Sequence, residues 1–259
     1  MAYEHILVER EGPITIVTLN RPQVFNALHK PAHLELEAAF DAFSADPEQW
    51  VAIVTGAGDK AFSAGNDLKY QAAGGERGWG KSGFGGLVSR FDCDKPIIAA
   101  VNGFAMGGGF EVALACDLIV AAENAIFALP EPSVGLAAMA GGLLRLPAVI
   151  GMKRAMGMIL TARRVGAKEG LELGFVNEVA LVGGALAAAK SLAKKICELS
   201  PMSIRASKQV AMRGAELPLA QALVDQESFP SFQEMRKSAD FVEGPKAFAE
   251  KRKPNWTGR

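Results

Sequence analysis

Two glutamates, one just after a glycine run and one between prolines, are candidate acids. Glu111 follows the run Asn102-Gly103-Phe104-Ala105-Met106-Gly107-Gly108-Gly109-Phe110, and Glu131 lies between Pro130 and Pro132. Were the fold to bring them together, two carboxyl groups gripping one water could deliver its oxygen to one carbon and a proton to the next, which is general acid–base catalysis. Groups that close do not both ionise easily, so the pair would titrate jointly with one acid protonated. Each residue also has an ordinary reading. A carboxylate in a first helical turn is a normal partner of the helix dipole, and Glu131 between prolines could be a solvated turn residue.

The glycine run follows the apolar strand Pro96-Ile97-Ile98-Ala99-Ala100-Val101 and enters a helix. Its glycines let a ligand approach the free amides of a helix N-terminus, a ready site for negative charge. The spacing is neither Gly-x-Gly-x-x-Gly nor a phosphate-binding P-loop, because Gly107, Gly108 and Gly109 adjoin and no Gly-Lys-Ser or Gly-Lys-Thr follows. A second turn, Lys60-Ala61-Phe62-Ser63-Ala64-Gly65-Asn66-Asp67-Leu68, follows the strand Val51 to Thr55. Ser63 lacks the Gly-x-Ser-x-Gly setting of a hydrolase nucleophile. His29, His33 and Glu37 have an i, i+4 spacing that could mimic a metal face, but Pro31 between the histidines fits a helix start better, and no metal is expected.

The elements that position these residues can be read from pattern. Ile6 to Asn20 alternates as two short strands around Glu11-Gly12. A helix is expected over His33 to Ser44, and another around Glu111 to Cys116. Leu118 to Ala122 and Ala125 to Leu129 read as a strand pair broken by Glu123-Asn124. Later segments turn helical: Met152 to Leu160, Ala167 to Leu173, Ala185 to Glu198, Ser203 to Met212, Leu219 to Ser228 and Pro230 to Arg236. Strands crowd the first half and helices the second, an α/β body with a helical C-terminal part. Gly74 to Gly86 is too rich in glycine for a stable helix or strand. It is either a plain surface loop or an active-site loop whose Trp79 and Phe84 cover a substrate.

The 259 residues are 49% hydrophobic and 22% charged, enough apolar material for one sizeable core. Lys plus Arg and Asp plus Glu both total 28, so no global positive field attracts nucleic acid or an anionic membrane. The basic stretch at Lys246 to Lys253 reads as a solvated helix end. Neither Pro96 to Phe110 nor Pro132 to Leu144 reaches the ~20 apolar residues of a crossing helix, and the N-terminus lacks the pattern of a secretory signal. Cys93, Cys116 and Cys197 lack metal-type spacing and suit reduced thiols in a cytoplasmic protein.

Taken together the pieces resemble the enoyl-CoA hydratase/isomerase (crotonase) family. They are Leu19-Asn20-Arg21-Pro22 with Asn26-Ala27-Leu28, Ala61-Phe62-Ser63-Ala64-Gly65 with Asp67-Leu68, Lys95-Pro96 with Ala99 to Gly109 and Glu111, then Cys116-Asp117, Pro130-Glu131 and Glu250-Lys251-Arg252-Lys253-Pro254. The resemblance spans nearly the whole chain. It implies a (ββα) spiral over residues 1–195 and a helical C-terminal trimerisation region over 196–259. It also implies a coenzyme A thioester as substrate, with no further cofactor, and a homotrimer or dimer of trimers. The thioester carbonyl would lie in an oxyanion hole formed by the N–H groups of Ala64 and Gly108.

Hydratases of this family use two glutamates, and Glu111 and Glu131 stand at the matching positions, with Glu111 for water activation and Glu131 for the α-proton. Contacts to the coenzyme are expected from Gln23, Phe25, Ala61, Ala64, Gly65, Asn66, Asp67, Leu68 and Gly107, and from Phe248 and Lys251 of a neighbouring subunit. The segment Ala138-Met139-Ala140-Gly141-Gly142 departs from the family's pattern, in which a glycine precedes this pair. Met139 would still offer its N–H to the water, but Met takes a positive φ at greater cost than Gly. Phe127 to Glu131 is similar to carnitinyl-CoA dehydratase-like members. An enoyl-CoA isomerase with other acids and a non-catalytic trimeric binding protein are the alternatives.

Overall fold

The computed structural model describes residues 3–259. Among them the strands are β1 (Ile6–Glu11), β2 (Ile14–Leu19), β3 (Val51–Gly56), β4 (Ala61–Ser63), β5 (Ile97–Val101), β6 (Phe104–Met106), β7 (Leu118–Ala122), β8 (Ile126–Ala128), β9 (Val165–Gly166) and β10 (Glu178–Ala180). They form a six-stranded sheet in the order β1-β2-β3-β5-β7-β10 and a four-stranded sheet in the order β4-β6-β8-β9. β1 and β2 make the expected antiparallel hairpin, with Ile6 opposite Leu19. β2, β3, β5, β7 and β10 then run parallel. Every residue of β3 and β5 is buried, the mark of parallel strands covered on both faces.

The chain climbs as a spiral. β3 and β4, β5 and β6, and β7 and β8 each place one strand in the large sheet and the next in the small one. The helices Leu68–Ala72 and Gly108–Ala115 complete the first two turns. The expected pairing of residues 118–122 with 125–129 is corrected by this topology. Glu123-Asn124 carries the chain from one sheet to the other, so β7 pairs with β5 and β8 with β6.

Phe40, Phe43, Phe62, Phe110 and Phe127 fill the core with Leu19, Leu28 and Leu36, against the helix Lys30–Ala45. A second apolar layer, from Ile14, Ile16, Ile53, Ile98 and Val120, is roofed by the helix Ala185–Cys197 through Ala185, Ala189 and Ala193. Those small residues recur every fourth position and form one face. The expected division at residue 195 falls in the last turn of this roofing helix.

The C-terminal helices Pro201–Gly214, Pro230–Lys237 and Ala239–Ala249 pack on one another. Ser200 caps the first through the Ser203 N–H and bonds buried Asp240 at 3.0 Å, while Asp240 also accepts from Thr257 and Gly258. The helices Gly142–Ile150 and Ala239–Ala249 escape the periodicity reading because each contains a proline, Pro147 or Pro245.

Candidate active site

Glycines bring the two motif turns together. Gly65 has φ +85°, and a Cβ there would lie 2.6 Å from the Met106 carbonyl oxygen and 2.8 Å from the Gly108 nitrogen, so no other residue fits this contact. Gly107, at φ +53°, ends β6 and opens the helix Gly108–Ala115; its N–H donates to the Ala128 carbonyl at the end of β8. Two residues past Ala128 the chain turns at Pro130-Glu131. A Cβ on Gly107 would meet Glu131 Oε1 at 2.7 Å. The backbone of the glycine run is thus in direct contact with the second acid.

These groups surround one mainly apolar cavity of about 240 Å³. Asn66, Gly107, Gly108, Glu111 and Glu131 supply its polar groups; Leu68, Trp79, Phe84, Val134, Leu136, Ala137 and Met139 form much of the rest. Trp79 and Phe84 meet edge to face with centroids 5.9 Å apart, so the glycine-rich segment does contribute its aromatic rings to the cavity.

Glu111 is 3% exposed, and its Oε1 accepts the Gly142 N–H at 2.8 Å. Burial pushes its carboxyl up to about 7; the Gly142 amide opposes the rise, and the charge of Glu131 adds to it. Glu131 is also raised by burial, against the pull of its own backbone amide. Its Oε2 is buried with no hydrogen-bond partner among the described residues. An unpartnered carboxyl oxygen costs free energy unless something polar is to meet it. Joint titration, with one proton shared between the two acids, is what this environment favours.

The backbone donors need one correction. The Ala64 N–H is spent on the Phe25 carbonyl at 2.9 Å, and Ala64 does not line the cavity. Asn66, two residues further on, does line it, and its N–H meets no acceptor among the described residues. Nothing local in the sequence separates the two amides: the φ of +85° at Gly65 and the Phe25 carbonyl that takes the Ala64 N–H are set by the fold. Gly108 stands first in its helix, where an N–H has no intrahelical carbonyl.

Met139 is corrected likewise. Its N–H donates to the Ala137 carbonyl at 2.8 Å, while its exposed side chain lines the cavity. The positive φ in this segment falls at Gly141, +98°, not at Met139, so the Met costs no backbone strain. Gly142, which sequence reading passed over, supplies the amide to Glu111.

Of the other expected contacts, Leu68 and Gly107 line the same cavity. Phe25 and Ala61 line a neighbouring groove with Lys60 and Gly58, and Gln23 is exposed beside it. Asp67 is not free to bind by its side chain. Its carboxylate pairs with Arg21 at 2.8 Å and caps the helix Leu68–Ala72 at the Tyr70 N–H. Phe248, 87% exposed, and Lys251 line neither cavity of their own chain.

His29, His33 and Glu37 do not converge on a point. His33 Nδ1 accepts the Gly85 N–H, Glu37 accepts the Ser82 N–H, and the His29 ring packs against His5 and Tyr70. Among the described residues no group of three His, Cys, Asp or Glu could hold a metal ion. None of the described helices is long and apolar enough to cross a membrane.

Comparison with known proteins fits this geometry. The sequence profile described as enoyl-CoA hydratase/isomerase matches residues 9–259. A carnitinyl-CoA dehydratase of Salmonella typhi is 43% identical over 260 residues, covering 99% of each chain. The crystal structure of an enoyl-CoA hydratase from Mycobacterium tuberculosis H37Rv superposes with a TM-score of 0.92 at 41% identity, over 98% of this chain and 99% of that one. An enoyl-CoA hydratase from Mycobacterium marinum gives 0.93 at 41% identity with the same coverage. The spiral of parallel strands is the fold of those structures.

Proposed function

The chain belongs to the enoyl-CoA hydratase/isomerase family, and from that premise we propose that it adds water reversibly across the α,β double bond of a 2-enoyl-CoA thioester. The observation that carries this reading is that Glu111 and Glu131 open onto one cavity beside the Gly108 amide, with Glu131 Oε2 buried and unpartnered. The thioester oxygen would accept from the N–H groups of Asn66 and Gly108. As the enolate forms, that oxygen gains negative charge, and preset amides favour the charged state over the ground state. Each such donor is typically worth ~2.7 to 4 kcal/mol of barrier.

Water sits between the two acids in this mechanism. When the proton the pair shares lies on Glu131, ionised Glu111 takes a proton from the water as its oxygen bonds to the β-carbon, and Glu131 gives its proton to the α-carbon. One O–H bond of water, the O–H of Glu131 and the π bond of the alkene are broken, one C–O bond, one C–H bond and the O–H of Glu111 are formed, and the acids have exchanged protonation states. A Glu111 carboxyl near 7 is ionised in a large fraction of molecules at neutral pH, so it can serve as the base. The thioester itself is the only coenzyme this chemistry requires.

A second reading is dehydration of a γ-trimethylammonio acyl thioester, as the name of the Salmonella typhi relative indicates for that protein. The wall formed by Trp79 and Phe84 supports it, since aromatic faces attract quaternary ammonium groups. The two readings share every step at the α- and β-carbons. Exposed Leu144, Leu160, Val224 and Phe248 are surfaces that a homotrimer or dimer of trimers would cover, with Phe248 and Lys251 reaching a neighbour's coenzyme. A cytoplasmic location fits the three free cysteines.

Purified protein mixed with crotonyl-CoA should consume the conjugated enoyl absorbance. The Glu131→Gln variant should lose at least a hundredfold in kcat while keeping its affinity for coenzyme A. Unchanged turnover in that variant would remove Glu131 from the mechanism. Faster reaction with the thioester of 4-trimethylammonio-2-butenoate than with crotonyl-CoA would select the second reading.

A further inference from the structure

We propose that His33 is a positioning residue, which holds the Phe84 ring against the Cα face of Gly108 by accepting the Gly85 N–H. The inference rests on the reading of Gly108 as a donor to the thioester oxygen. It begins from the loop's own weakness. Gly83, Gly85 and Gly86 have φ of +78°, +64° and +67°, and the segment has neither a strand ladder nor an α-helix to fix it. Such a chain adopts many conformations unless outside groups bind its amides.

The helix Lys30–Ala45 supplies those groups from successive turns of one face. His33, 2% exposed, accepts the Gly85 N–H at Nδ1, 3.0 Å. Glu37 accepts the Ser82 N–H at 2.6 Å. Arg90 Nε donates to the Gly86 carbonyl at 2.9 Å, and its Nη1 pairs with Asp41 on the same helix. Acceptance at Nδ1 requires a neutral ring with its proton on Nε2, and burial pushes His33 down to about 4, so the ring is neutral throughout the working range.

The consequence lies at residue 84. The Phe84 ring, 3% exposed, packs on the His33 ring at 4.4 Å between centroids and on Trp79. A Cβ on Gly108 would lie 2.5 Å from Phe84 Cε1 and Cζ, so the ring fills the space where a side chain at 108 would stand. A loop that drifts takes this wall away from both the acyl cavity and Gly108. Small misplacements of that kind can cost as much as 10²-fold in rate.

The test uses the whole protein. His33→Leu removes the acceptor at similar volume, and His33→Asn returns an oxygen at the reach of Nδ1. Hydrogen exchange read by mass spectrometry should show residues 79–91 exchanging at least tenfold faster in the Leu variant and close to parent in the Asn variant. With crotonyl-CoA, kcat should fall ten- to hundredfold in the Leu variant and recover in the Asn variant, with affinity for free coenzyme A unchanged. If the Leu variant does not fold, His33→Gln, whose oxygen reaches the Nε2 position, takes its place in the same comparison. Equal loop exchange in parent and acceptor-less variant overturns the proposal, as does an Asn variant no better than the Leu or Gln one. A parent protein that leaves crotonyl-CoA unchanged defeats the hydratase reading instead, and the exchange comparison still decides the role of His33.

Discussion

Glu111→Gln should separate what this residue does for the fold from what it does for the reaction. The side chain is buried, its Oε1 accepts the Gly142 N–H, and its carboxyl is raised from 4.5 to about 7, first by burial. A carboxyl raised on folding is bound to its proton in the native state while the unfolded chain has released it. Stability from this group is therefore full below pH 4.5 and is lost as pH climbs through 7. At about 1.36 kcal/mol per pH unit, the climb to about 7 corresponds to about 3 kcal/mol lost at pH 8. The glutamine amide keeps an oxygen for Gly142 and carries no charge, so the variant escapes the loss. Denaturant unfolding at fixed protein concentration should find the variant about 3 kcal/mol more stable than the parent at pH 8, and nearly equal to it at pH 4.5. Hydration of crotonyl-CoA should fall by at least a hundredfold. A variant equally destabilised at both pH values would refute the claim that the ionised carboxylate strains this site.

The backbone donors can be assigned by substitution at position 66. Asn66→Ala keeps the N–H and should retain kcat within a few-fold, whereas Asn66→Pro deletes it and should lose about 10² to 10³ in kcat, read in the same crotonyl-CoA assay. Trp79→Ala should enlarge the acyl cavity, raising KM for crotonyl-CoA and improving kcat/KM for longer or branched enoyl thioesters; an unchanged preference would show that Trp79 does not bound the acyl group.

The large features were legible because they rest on composition and period. The β1–β2 hairpin shows as alternation, β3 and β5 as continuous apolar runs, and the helix at 185–197 as alanines every fourth residue. Glu111 and Glu131 were legible as a pair only through the family resemblance, since a first helical turn and a turn between prolines are each ordinary places for a carboxylate. The partition of β7 and β8 between two sheets was not visible locally, since each strand's partner lies a whole spiral turn away. Nor was the choice of Asn66 over Ala64. It depends on the φ of Gly65 and on the Phe25 carbonyl, which reaches Ala64 only after the chain has folded back. Gly142 and His33 act through hydrogen bonds to residues far along the chain, so their own neighbours carry no sign of them.

A crystal structure with a slowly turned-over 3-hydroxyacyl-CoA bound would examine the central arrangement most directly. The account predicts the thioester oxygen within about 3 Å of the nitrogens of both Asn66 and Gly108, the β-hydroxyl between the Glu111 and Glu131 carboxyl groups, and the acyl chain against Trp79 and Phe84. A thioester carbonyl seated away from those two amides, or a hydroxyl reached by neither glutamate, would contradict it.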